Sequence, residues 1–151
     1  MKRFALVLVA ALSGCGLPVM RKGLAPVSPP AVYGFPKVDS LRPTLAWEAF
    51  PRPADRDRDS AGDLERMSDI RYDLRIRRAE HPLDLVYSVE DLRATSHRVS
   101  ERLASDTTYR WAVRARFELD GATRVTAWNG LKTGWRSTVV PSPYRFGFRT
   151  P

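Results

Sequence analysis

The stretch LASDTTYRWAVRARFEL, residues 103–119, alternates with a period of two from Tyr109 onward. Tyr109, Trp111, Val113, Ala115, Phe117 and Leu119 fall on one face, and Arg110, Ala112, Arg114, Arg116 and Glu118 on the other. A period of two over so many residues, rich in aromatics and valine, predicts an antiparallel strand with one face in a core and one in water.

Working outward, residues 44–50 read as a strand with Leu45 and Trp47 inward, stopped by Pro51-Arg52-Pro53. Residues 70–77 repeat the alternation, with Ile70, Tyr72, Leu74 and Ile76 inward and Arg71, Asp73, Arg75 and Arg77 outward, until His81-Pro82 ends it. Residues 83–89 and 97–103 supply two more strands. Asp120-Gly121 is a two-residue hairpin signal, so residues 122–128 return as a strand. Residues 129–143 then form a long irregular connection, and residues 144–150 close the sheet with Tyr144, Phe146 and Phe148 inward. The first edge strand is expected within residues 31–40, where Gly34 and Pro36 suit an edge. Between residues 52 and 69 lies a long charged connection with a helical turn near Leu64.

Leu103, a turn, Thr107-Thr108 and then Tyr109-x-Trp111-x-Val113-x-Ala115 resemble strand F of fibronectin type III domains. PTLAW (43–47) is similar to that family's strand B with its core tryptophan, and FGFRT (146–150) to its closing strand. The resemblance covers roughly residues 30–151 and implies an all-β, immunoglobulin-like antiparallel sandwich over residues 31–151. It implies structural roles for Trp47, Leu103, Tyr109 and Trp111, with the Tyr109 hydroxyl folded back onto upstream backbone as a tyrosine corner. Ser105-Asp106 stand where the family has Pro-Gly. The resemblance also makes the 70–77 and 109–119 strands neighbours, which merges Arg71, Arg75, Arg77, Arg114 and Arg116 into one basic face. Arg145 and Arg149 join it if the last strand does, and Asp73 and Glu118 interleave.

The 151 residues suit one domain with extensions, and 43% hydrophobic content suffices for a single core. A formal charge of +8 and a pI near 10.2 fit either anionic partners or a well-solvated surface. Cys15 is the single cysteine, which rules out an intramolecular disulfide. It ends a basic start (Lys2-Arg3) and an apolar run (residues 4–12) too short for a bilayer. The run therefore reads as a signal peptide over residues 1–14. LSGC (12–15) resembles the lipobox of bacterial lipoproteins, and the alternative is an ordinary cleaved signal with an incidental cysteine. The resemblance implies diacylglycerol on the Cys15 sulfur, cleavage before Cys15 and acylation of the new amino terminus by a palmitate-type chain. Gly16 in place of aspartate implies sorting to the outer membrane. Residues 15–30, rich in Pro and Gly, read as a lipid-anchored tether extending about 3.1 Å per residue where polyproline-like.

Little catalytic chemistry is legible. His81 and His97 are the only histidines and neither has metal-ligand spacing. No phosphate-binding glycine loop or nucleophile elbow occurs. Asp55, Asp57 and Asp59 start like a calcium loop, but Ser60 replaces the required glycine and Arg66 the closing glutamate. No metal and no cofactor are called. The expectation is a non-enzymatic binding or adhesion module, lipid-anchored at the cell outer membrane and facing the periplasm or the exterior. Its partners are the membrane, an anionic envelope polymer or lipid, and an envelope protein; nucleic acid is not among them. The rival is a structural accessory subunit of an envelope or secretion assembly. In the sandwich that the fibronectin type III resemblance implies, strand directions place the long 52–69 and 129–143 connections at the pole where the tether enters. On that basis residues 129–142 dock on the membrane, through Lys132, Trp135 and Arg136, with Trp128 at their base.

Overall fold

A computed structural model of the chain describes residues 23–30, 34–128 and 146–151. They form two antiparallel sheets. One has the order β1 (Pro26–Ser28), β2 (Thr44–Trp47), β5 (Ser96–Arg98). The other has the order β4 (Leu85–Leu92), β3 (Met67–Arg78), β6 (Thr108–Leu119), β7 (Ala122–Val125), with β8 (Gly147–Arg149) also on β6. Among the described residues, helix is confined to a turn at Pro53–Arg56 and a 3-10 turn at Leu64–Arg66.

β6 alternates between buried and half-buried along its whole length. Its inward side chains meet Leu45, Trp47, Phe50, Tyr72, Leu74, Ile76 and Phe148 in one core. Trp47 lies edge-on to Tyr72 at 5.6 Å between ring centroids, and Phe50 packs on Phe117 at 5.2 Å. Ile70 and Phe146, also assigned inward, are only half-buried. The Tyr109 hydroxyl accepts the Ala104 N–H at 3.0 Å, so the strand folds back on its own entry turn. In that turn Asp106 takes φ 48°, the left-handed conformation a glycine would supply.

Three sequence assignments shift. The first strand is Pro26–Ser28, inside the stretch assigned to the tether, because Leu24 is wholly buried and β1 pairs with β2. Of residues 31–40, those described make only one parallel bridge, Lys37 to Arg149. The prolines around it remove ladder donors, and sparse apolar residues hid Leu24. Second, the Asp120-Gly121 turn forms as expected, with φ 51° and 75°, but the strand that returns along β6 ends at Val125, short of the expected Trp128.

Third, the chain after β7 departs from mid-edge. Thr126 pairs with Ala115, and Phe146 accepts the Trp111 N–H at 3.0 Å. The described chain thus pairs with the middle of β6 at Thr126 and again at Phe146. The 129–143 connection, expected beside the β2–β3 connection, lies outside the described residues. Lys132, Trp135, Arg136, Tyr144, Arg145 and Cys15 lie outside the described residues.

Strand directions give the molecule two poles. The near pole carries the entering chain, the β2–β3 connection and the β6–β7 turn. The far pole carries the β1–β2 connection (29–43), the β3–β4 hairpin and the β5–β6 connection.

Candidate functional site

The outward face of the larger sheet holds the arginines singled out from the sequence. β3 and β6 neighbour each other, with Arg71 opposite Arg116, Asp73 opposite Arg114, Arg75 opposite Ala112 and Arg77 opposite Arg110. Two like-charged pairs thus stand directly opposite, an arrangement that needs compensation. Asp73 supplies it. Although on the solvent side of the strand it is only 1% exposed, contrary to its assignment as an outward, wet residue. Arg114 Nε donates to Oδ2 at 2.9 Å and Arg116 Nη2 to Oδ1. The two guanidinium groups roof the carboxylate. Burial alone would raise its pKa, but the hydrogen bonds from Arg116 and Arg114 outweigh that and hold it below the ordinary carboxylate value.

A bulge completes the cluster. Between Leu74↔Val89 and Tyr72↔Leu92, β4 carries Glu90 and Asp91 opposite Asp73 alone, and Asp91 turns with φ 61°. Its carboxylate lies 3.3 Å from Arg116 Nη1, and Glu90 lies 3.5 Å from Nη2. Arg71 pairs with Asp69, and Arg77 donates to the carbonyls of Pro82 and Leu83. Arg149, on β8, pairs with Asp106. Trp128 lies on this face too, with the Arg75 and Arg114 guanidinium carbons 4.5 and 4.6 Å from its ring centroid. The face offered to anionic polymers therefore spends most of its charge internally, and Trp128 serves it as a cation–π platform.

A second set of cations outside the ion pairs lies elsewhere. At the far pole the β1–β2 connection lines an open cavity of about 450 Å³. Lys37, Arg42 and Arg98 contribute to its lining, with Asp39, Ser40 and Thr44. Sequence reasoning missed it because its cations are scattered between prolines and separate strands. No periodicity joins them.

Two further clusters are structural in character. Tyr87 Oη and His97 Nε2 are 2.6 Å apart, joining the edges β4 and β5, and burial lowers the His97 pKa. On the near pole Arg52 and Asp55, both buried, form a two-pronged pair at 2.7 and 2.9 Å. Arg52 Nη1 also donates to the Gly23 carbonyl at 3.0 Å, and Glu48 accepts the Ala25 N–H at 2.7 Å. The entering chain is thus clamped at residues 23–25. Of the aspartates that begin like a calcium loop, Asp55 is committed to Arg52, while Asp59 accepts the N–H groups of Asp63 and Leu64. Among the described residues no three His, Cys, Asp or Glu side chains are placed to hold a metal.

Comparisons with protein-family models, with curated proteins and with solved structures found no match.

Proposed function

We propose that this chain is a lipid-anchored, non-enzymatic binding module of the bacterial envelope, built on a fibronectin type III-like sandwich. The fold reading rests on the strand orders β1-β2-β5 and β4-β3-β6-β7 together with the Tyr109-to-Ala104 hydrogen bond. The anchor reading is carried by LSGC at residues 12–15, after a basic start and a short apolar run. The clamp at residues 23–25 adds a geometric corollary. Only residues 16–22 then separate Cys15 from the folded body, a reach of roughly 20–25 Å at about 3.1 Å per residue. The near pole is held close to the bilayer, and the far pole, with its cavity, points away.

Metabolic labelling with a fatty-acid analogue in a bacterial host tests the anchor. Label on the wild type and none on Cys15→Ser, with the variant released from the outer-membrane fraction, is the expected result. Equal labelling of both refutes it.

One observation favours the second reading, an accessory subunit of an envelope assembly. Leu83 is 94% exposed at the tip of the β3–β4 hairpin, where Arg77 braces the flanking carbonyls. A photo-crosslinker at position 83 that captures one envelope protein in stoichiometric amount supports that reading.

A further inference from the structure

All 17 aspartates and glutamates of the sequence fall within the described residues, so the ion pairing of each described cation can be read directly. Arg114 and Arg116 share Asp73, and Arg71, Arg78 and Arg149 each have a carboxylate. None of the ion pairs involves Lys37, Arg42 or Arg98. These three line one cavity, and Asp39 is the single acid in that lining.

The walls are fixed before any ligand arrives. Val99 N–H donates to the Pro43 carbonyl at 3.0 Å, Leu103 N–H to Leu41 at 2.9 Å, and Val38 N–H to Arg149 at 2.9 Å. The connection is thus tied to both sheets. Ser40 Oγ accepts the Arg42 N–H at 3.0 Å, setting the backbone from which Arg42 projects. Thr44 and Arg98 are direct cross-strand partners, so their side chains leave the sheet on the same side. A backbone anchored in this way loses less entropy on binding than a mobile loop does.

We propose that this cavity binds a phosphate-bearing, hydroxyl-rich ligand, a sugar phosphate. Two guanidinium groups and an ammonium suit a phosphate, since arginine donates in a fork matched to its oxygens. Asp39, Ser40 and Thr44 provide acceptors for sugar hydroxyls, a role that an otherwise unpaired carboxylate beside cations fits. The volume falls within the range of small-ligand sites, roughly 300–1,000 Å³. Among the described residues its lining is polar and aliphatic, which suits a hydroxyl-rich ligand. The proposal names a ligand class for the binding module above and rests on that reading.

The full chain, purified in neutral detergent at low ionic strength, is titrated with glucose 1-phosphate, its methyl phosphodiester, inorganic phosphate and glucose. Calorimetry and backbone amide shifts report binding. Glucose 1-phosphate should bind and glucose should not, with shifts centred on residues 37–44 and Arg98. Arg42→Gln and Arg98→Gln should each weaken binding about tenfold. Both side chains are exposed, so the thermal midpoint should stay unchanged, and Arg75→Gln should leave affinity intact. Equal binding of the diester assigns the cavity to a polymer chain, and monoester preference to a free or terminal sugar phosphate. The proposal is overturned by no binding up to about 10 mM, ten times a 1 mM Kd. It is equally overturned by equal binding of glucose, or by undiminished binding in the double variant. Fatty-acid labelling is scored separately, so a chain without lipid that binds the ligand refutes the anchor and leaves the cavity.

Discussion

Replacing Asp73 by Asn removes one charge and almost no volume, which isolates what the carboxylate does beneath Arg114 and Arg116. Hydrogen bonds to charged partners are worth about 1.5–3 kcal/mol each, and breaking a buried ion pair costs about 3–5 kcal/mol. Those figures are upper bounds here. The two arginine side chains remain 24% and 26% exposed, and Arg116 keeps Asp91 at 3.3 Å. A roof of two long side chains is also a thinner shield than a packed core. The loss at pH 7 should therefore be about 2–3 kcal/mol, or about 8–12 °C in the thermal midpoint at roughly 4 °C per kcal/mol.

The pH dependence supplies a second check. Because the folded-state pKa of Asp73 is lowered, its contribution is fully present above the ordinary carboxylate range near pH 4. It is lost as pH falls through the folded value. Denaturant curves of wild type and variant, well separated at pH 7, should converge in acid, where the native side chain is itself neutral. Asp69→Asn, which breaks the half-exposed pair with Arg71, should cost under about 0.5 kcal/mol and serves as the control. A loss for Asp73→Asn no larger than that control's, or a gap that does not narrow on acidification, would refute the reasoning.

Tyr109→Phe should cost about 1 kcal/mol by denaturant unfolding, since it strips the acceptor from the Ala104 N–H while leaving the ring packed. Gly147→Ala should cost about 2–3 kcal/mol in the same measurement. Its Cβ would stand 2.5 Å from the Phe35 ring and 2.7 Å from the Tyr109 carbonyl oxygen, which cannot yield without displacing β6. Burial lowers the His97 pKa, so stability should be highest above about pH 6.5 and decline as pH falls toward the folded value. In His97→Gln that slope should flatten, and an unchanged slope would mean that the native imidazole is not protected.

The strands were legible wherever one face is dry and the other wet. β6 and β3 announce themselves through alternation, and Asp120-Gly121 through turn chemistry. The same rule misled at Asp73. Alternation assigns a residue to a face, but the arginines two residues apart on the neighbouring strand decide whether that face is open. The interleaving of Asp73 with the arginines was legible, but registration between strands is long-range, so the burial of Asp73 beneath Arg114 and Arg116 could not be read from the chain. β1 was missed because Leu24 is one apolar residue among prolines and glycines. Its burial depends on the Arg52–Asp55 pair, which holds Gly23 from a distant part of the sequence. The far-pole cavity depends likewise on cations that only folding brings together.

The broken last strand has a consequence for how this protein lives beside copies of itself. A continuous strand along β6 would offer neighbouring chains a long ladder of unpaired N–H and C=O groups. Among the described residues that edge instead carries β7, of four residues, and β8, of three, with Arg124 on one and Arg149 on the other. At the opposite edge, the bulge at Glu90 and Asp91 interrupts β4 and sets two carboxylates there. Short, interrupted and charged edges resist recruitment into intermolecular sheets. If the proposed lipid anchor gathers such domains on a membrane surface, these edges favour separate bodies over a fibre.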